Sequence, residues 1–171
     1  HESPNAIEGS LDAIAEACAE VGVRVLPAYG ITDRHGPDGA RRGLDENRRF
    51  IEAGNKGLVG IHAAFTCTDE SLGAAAELAQ ELGVGVHIHV AEHPVDVRFS
   101  RETFGASPVQ RLQRHGLLDD RALLAHGIHL DDEDYDAVAV AGATIIHNPE
   151  SNANNGVGRL DLPRVAAHGC A

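Results

Sequence analysis

The most informative stretch of the sequence places two histidines and a glutamate close together, at His87, His89 and Glu92. They follow a short apolar run, which predicts that both histidines lie on one β-strand. Side chains alternate between the two faces of a strand, so the histidines should share one face and the aliphatic residues between them the other. A histidine that can bind a metal ion and a nearby carboxylate that can move protons are the parts that metal-assisted hydrolysis needs.

Three more histidines, His62, His126 and His147, lie at or near the ends of other apolar runs. An isolated His-x-His pair is more often structural than metal-binding, because histidine pairs also arise by chance. Several histidines at strand ends are harder to explain in this way. Together they indicate one site built from several strands, and they favour a metal-dependent hydrolase.

The elements that would position these residues alternate between strands and helices. Hydrophobic periodicity and capping residues predict the strands and helices in turn. The predicted strands are residues 23–29, 58–66, a segment ending at 90, 123–126 and 143–147. The predicted helices are residues 11–21, about 44–52, 68 or 69 to 82, one starting at 107–108, 131 or 132 to 140, and 162–167. Residues 32–43 are predicted to form a polar, glycine-rich loop.

This alternation predicts an α/β fold with a parallel sheet and right-handed crossovers. An open, doubly wound sheet is the rival architecture, but no Gly-x-Gly-x-x-Gly motif follows any predicted strand. Histidines at the carboxyl ends of four strands fit the mouth of a (β/α)8 barrel, where active sites of that fold lie. We therefore expect a partial (β/α)8 TIM-type barrel, with roughly strands three to seven present.

The composition limits the classes of function. The chain has 171 residues, 43% of them hydrophobic, which is enough for one core. The net charge of −12 argues against a nucleic-acid partner, and no apolar run is long enough for a membrane span. The three cysteines lack metal-site spacing and cannot all pair in disulfides, which favours a reducing cytoplasm. The absence of any methionine suggests a processed chain or a piece of a longer one.

Three segments resemble the metal-dependent amidohydrolase superfamily, in its cytosine deaminase and chlorohydrolase branch. Their sequences are HIHVAE at 87–92, AHGIHL at 125–130 and HNPESN at 147–152. Four further segments resemble the SsnA-type aminohydrolases within that branch. They are HESPN at 1–5, ITDRHG at 31–36, GIHAAFT at 60–66 and NANNGVG at 152–158.

The resemblance implies a zinc- or iron-dependent hydrolase that deaminates an N-heterocyclic amine. It makes His89 a metal ligand and Glu92 the acid/base residue that carries the proton from water to the leaving group. It makes His126 the residue that polarises the substrate or stabilises the oxyanion. The expected substrate-binding residues are His62, His147, Asn148, Ser151 and Asn152.

Members of this superfamily also bring a His-x-His from strand one and an Asp from strand eight, and neither is found here. We therefore expect residues 1–171 to be a single catalytic-barrel segment of a longer chain, without the first strands and strand eight. The full-length protein is expected to be cytoplasmic, and it could form a homo-oligomer. Three alternatives stay open: hydrolytic dechlorination, cyclic amide hydrolysis and a non-catalytic barrel remnant without metal.

Several residues have a simpler structural explanation. Glu92 could be a helix N-terminal carboxylate, His126 a core histidine, and His62 either a pocket or a packing residue. A turn with a salt bridge is the simpler explanation of Asp33 and Arg34. The segment 152–158 could bind an anion through its backbone amides or could simply form turns.

Overall fold

The computed structural model describes residues 6–171, so the expectations for residues 1–5, including His1, lie outside the described residues. Strands and helices alternate along most of the chain. The strands are β1 (Gly30–Ile31), β2 (Val59–Ala63), β3 (Val86–Val90), β4 (Leu123–His126) and β5 (Thr144–Ile146). The helices are α1 (Ser10–Glu20), α2 (Gly36–Glu52), α3 (Asp69–Leu82), α4 (Pro94–Phe104), α5 (Pro108–Arg114), α6 (Asp132–Ala141), α7 (Pro149–Asn155) and α8 (Leu162–Ala167), with 3-10 turns at Asp33–His35 and Ala64–Thr66.

The strands form a five-stranded sheet in the order β1-β2-β3-β4-β5, which is also their order along the chain. Strands β1 and β2 are parallel, with Ile31 opposite Ile61. Strands β4 and β5 are also parallel, with Ala125 opposite Ile146. The helix-containing connections between parallel neighbours confirm the predicted α/β class.

By its internal contacts the chain divides into two compact units, His1–His87 and Ile88–Ala171. In the first unit, helix α2 contacts β1, β2 and α3. Two glycines of this unit, Gly43 on α2 and Gly60 on β2, allow close packing against Tyr29. A Cβ on Gly43 would lie 2.5 Å from the Tyr29 ring, and one on Gly60 would lie 2.3 Å from the Tyr29 carbonyl oxygen. Both contacts are shorter than real Cβ contacts, so these positions require glycine.

The second unit has its own apolar core. Its fully buried side chains come from β3, β4, α5 and α6, and they include Ile88, Leu112, Leu124, Tyr135 and Val138. Ser107 starts α5 with a capping box, in which its hydroxyl accepts from the Gln110 amide and the Gln110 side chain accepts from the Ser107 amide. The sequence predicted this helix start.

Two predicted elements are wrong in the first unit. Residues 23–29 are not a strand: the ladder begins only at Gly30, and Val23, Val25 and Leu26 are exposed. Pro27 has no N–H to donate to a ladder, which disfavours a regular strand across it. Residues 32–43 are not a loop either, because α2 already begins at Gly36. Gly39 and Gly43 allow close packing, because a Cβ at either position would lie too close to His35 or Tyr29.

Two helices of the second unit, α4 and α7, were not predicted from the sequence. Each begins with a proline at its first position, Pro94 and Pro149, where the missing N–H has no intrahelical partner to lose. Both helices directly follow the strand ends that carry the candidate site residues. None of the helices within residues 6–171 is long and apolar enough to cross a membrane.

Candidate active site

Strand β3 presents two faces of different character. Val86, Ile88 and Val90 are buried, whereas His87 and His89 are half-buried. This confirms the predicted alternation, with both imidazoles on one face. Glu92 follows two residues after the strand ends, and its side chain keeps 30% of its surface exposed. The carboxylate is therefore reachable by a small molecule while it stays close to the strand end.

His126 ends strand β4 with a backbone φ of 77°, in the left-handed region that non-glycine residues rarely adopt. Its side chain is buried, and its Nδ1 lies 2.7 Å from the Asn152 side-chain oxygen. An amide oxygen only accepts hydrogen bonds, so the Nδ1 proton is donated to Asn152. In the neutral ring Nε2 then keeps its lone pair, and this nitrogen faces Glu92.

These side chains form one cluster in the second unit. The His89 and His126 ring centroids are 5.3 Å apart, and the rings are tilted by 54°. His126 Nε2 lies 3.7 Å from Glu92 Oε2, beyond direct hydrogen-bond distance but within ion-pair distance. Glu92 Oε1 accepts from the Asn155 side-chain amide at 3.2 Å. The carboxylate is thus held on one side and faces an imidazole on the other.

His147 lies at the same end of the sheet. It directly follows Ile146, which is paired with Ala125, and His126 directly follows Ala125. The register therefore places His126 and His147 side by side. His147 lines a cleft of about 550 Å³ together with Arg159–Pro163. Its buried Nδ1 has no hydrogen-bond partner among the described residues.

The other predicted substrate-binding residues have different surroundings. Asn148 precedes α7 at its N-cap position without a side-chain capping bond, and Ser151 is exposed on α7. Asn152 is buried with its oxygen against His126, so its observed contact supports that histidine. Substrate contact by these residues and by His147 stays a prediction.

His62 lies in the first unit, at β2. Its Nδ1 is 3.0 Å from the Thr66 hydroxyl oxygen, and that hydroxyl donates to the Ala63 carbonyl. A role for His62 in substrate binding stays a prediction. The Asp33 carboxylate accepts from the Thr68 amide and the Ser71 hydroxyl. Asp33 therefore holds the start of α3, whereas its sequence-based explanation was a turn with a salt bridge.

Imidazole nitrogens and carboxylate oxygens are ligands that zinc prefers. The His89 imidazole therefore fits as one ligand of a divalent metal. Within residues 6–171, no group of three His, Cys, Asp or Glu side chains is close enough to hold a metal ion. A zinc site normally takes at least three protein ligands, so the described residues could supply only part of a ligand set.

Sequence reasoning missed two residues of this cluster. Asn155 binds Glu92, but its Asn- and Gly-rich surroundings indicated only a turn. Asp96 is 2% exposed and accepts a hydrogen bond from the Ala91 amide at 2.6 Å. The sequence places Asp96 four residues after Glu92. Because α4 begins at Pro94, Asp96 lies in the first turn of that helix, next to the end of β3.

The sequence matches the amidohydrolase family over residues 2–170. The chain belongs to this family. It is 38% identical over 168 residues to the 5-methylthioadenosine/S-adenosylhomocysteine deaminase of Symbiobacterium thermophilum, a match that covers 94% of this chain. The chain spans only 38% of the length of that relative.

Solved structures show the same fold. The adenosine deaminase of Xanthomonas campestris, solved with bound zinc, superposes with a TM-score of 0.78 at 25% identity, over 93% of this chain and 38% of that one. The atrazine chlorohydrolase of Arthrobacter aurescens, solved with zinc, superposes with a TM-score of 0.79 at 22% identity, over 95% of this chain and 40% of that one. These likenesses confirm that this amidohydrolase chain has part of a (β/α)8-type barrel fold.

Proposed function

We propose that the full protein is a metal-dependent aminohydrolase that releases ammonia from an N-heterocyclic amine. The observation that carries the proposal is the cluster of Glu92 with His89 and His126 at the carboxyl ends of neighbouring strands. The deaminase relative, 38% identical to this chain over 168 aligned residues, supports carbon–nitrogen bond hydrolysis. Adenosine derivatives are the substrate class that we expect first.

Glu92 is proposed as the group that moves protons. Its Oε1 is anchored by Asn155, while Oε2 faces His126 Nε2 across 3.7 Å. Oε2 can take a proton from an attacking water and pass it first to a ring nitrogen and then to the departing amine. General acid–base catalysis of this kind typically contributes about 10²–10⁴-fold to the rate.

His126 is proposed to stabilise negative charge that develops on the attacked carbon's oxygen. Its Nδ1 is fixed by Asn152, so the ring cannot turn away from Glu92. When Nε2 is protonated, it presents an N–H to the oxyanion, and a donor held in place before the reaction costs no reorganisation during it.

A divalent metal, with zinc as our first expectation, would be held by His89 together with ligands outside the described cluster. When bound, such an ion lowers the pKa of a coordinated water towards neutrality. His147, Asn148 and Ser151 are proposed to line the substrate pocket beside it.

Two variants of the full-length protein test these roles. Glu92→Gln keeps size and hydrogen bonding but cannot carry a proton, so ammonia release should fall about 10²–10⁴-fold while metal content stays unchanged. His89→Ala should lose metal and activity together. Glu133→Gln, at an exposed carboxylate on α6, is the matched control and should keep the wild-type rate. If Glu92→Gln stripped the metal or kept nearly the full rate, the assigned roles would be wrong.

A further inference from the structure

Asp96 on α4 is a buried carboxylate without a part in the mechanism above. One oxygen, Oδ2, accepts from the Ala91 amide at 2.6 Å. The other, Oδ1, has no hydrogen-bond partner among the described residues. The pKa of Asp96 is raised to about 7, chiefly by burial; the Ala91 hydrogen bond and the Arg111 charge oppose this rise, and the Glu92 charge adds to it. Burying a carboxyl group costs free energy, so Asp96 is expected to contribute something in return.

The partner of Asp96 has an uncommon backbone conformation. Ala91 has a φ of 49°, in the left-handed region, where a residue with a Cβ is strained by about 1–2 kcal/mol. Hydrogen bonds hold both sides of this residue. Its amide donates to Asp96, and its carbonyl accepts from the His129 amide at 3.1 Å. The preceding carbonyl, of Val90, accepts from the Gly127 amide at 2.9 Å.

The conformation of Ala91 sets the direction of the next residue, which is Glu92. If β3 continued without a turn, Glu92 would extend the strand. The left-handed turn at Ala91 instead leads the chain out of the strand, and the Glu92 carboxylate then faces His126. The hydrogen bond from Ala91 to Asp96 is made in this turned conformation.

We propose that Asp96 is a positioning residue that holds Ala91 in its left-handed conformation and thereby directs Glu92 towards His126. The inference rests on the proposed proton-carrying role of Glu92. Asp96 itself does not touch substrate or metal. Its effect on turnover passes through the backbone of Ala91.

A purely structural role for Asp96 is the competing explanation, and the chain offers a matched control for it. Asp134 on α6 is also about 1% exposed, with one oxygen bonded to the Ser107 hydroxyl and the other buried without a partner among the described residues. Burial raises the pKa of Asp134 too. This second carboxylate is as buried as Asp96 but holds the start of α5 instead of the Glu92 turn.

The test uses Asp96→Ala, Asp96→Asn and Asp134→Asn in the full-length protein. Asp96→Ala should lower kcat by about 10- to 100-fold, since a misplaced catalytic group costs rate in this range, while KM and metal content stay unchanged. Asp96→Asn should recover most of kcat, because its amide oxygen can still accept from Ala91. Asp134→Asn should change thermal stability and leave kcat within about twofold, as expected away from the reacting groups.

Two further measurements separate this proposal from the proposed function. In a Glu92→Gln background, Asp96→Ala should lower kcat no further, because the group that it positions no longer carries protons. Equal losses in both backgrounds would overturn the positioning role. Crystal structures supply a readout independent of activity: Ala91 should leave the left-handed region in Asp96→Ala and keep it in Asp96→Asn. If Ala91 kept its φ in Asp96→Ala, the inference would fail even if Glu92 proved catalytic.

Discussion

Asn47 is the polar side chain on which the first unit is expected to depend most. It is fully buried in α2, and its Oδ1 accepts from the Tyr29 amide at 2.9 Å. Its Nδ2 donates to the carbonyls of Tyr29 at 2.9 Å and Gly43 at 3.0 Å. The Asn47 side chain therefore forms hydrogen bonds with both the N–H and the C=O of Tyr29, the residue directly before β1.

Asn47→Leu keeps a similar volume but removes these hydrogen bonds. The variant loses the hydrogen bonds to the amide and carbonyl of Tyr29, while the Gly43 carbonyl can still accept its intrahelical bond. Removing a hydrogen-bond partner from a buried polar group costs about 1–3 kcal/mol. We therefore expect the free energy of unfolding to fall by about 1–3 kcal/mol.

Urea denaturation of the wild type and the variant measures this loss, provided that the slope of unfolding free energy against urea is unchanged. Asn55→Leu is the matched control, since Asn55 is exposed and its side-chain amide donates to the Phe50 carbonyl at 3.1 Å. It should change stability by about 0.5 kcal/mol or less. A loss below about 1 kcal/mol for Asn47→Leu would refute the assigned bridging role.

Two further variants test the packing and the electrostatics. Gly60→Ala should destabilise the fold by about 2 kcal/mol or more, because its Cβ would lie 2.3 Å from the Tyr29 carbonyl oxygen, a backbone atom that cannot move alone; an unchanged melting temperature would contradict this. Asp96 has a pKa raised from 3.8 to about 7, so the folded state holds a proton that the unfolded state has lost. Stability should therefore fall by up to about 4 kcal/mol as pH rises from 4 through 7. Asp96→Asn should flatten this fall when unfolding free energies are compared at pH 5 and pH 8, and parallel pH profiles would show the cause to lie elsewhere.

Several elements of the second unit were predictable from sequence, although α4 and α7 were not. Strand β4, the start of α5 at Ser107 and the bounds of α8 agree with their predictions, because each combines a strong local pattern with a clear boundary residue. In the first unit, the sequence pattern of residues 32–43 led to a wrong prediction of a loop, because α2 begins at Gly36. Glycines in a sequence can mark a flexible loop or a position without room for a Cβ. Gly43 is of the second kind, because a Cβ there would lie too close to the Tyr29 ring.

The sequence by itself determined the α/β class, the alternation of the β3 side chains and the membership of His89, Glu92 and His126 in one family motif set. These features depend on residue type and local spacing. Only the tertiary structure decided which groups support them. Asn152 fixes His126, Asn155 holds Glu92, and Asp96 binds the turn at Ala91. Each of these contacts depends on how a helix after a strand packs back towards the strand end. Packing of this kind is a property of the folded chain rather than of any short segment.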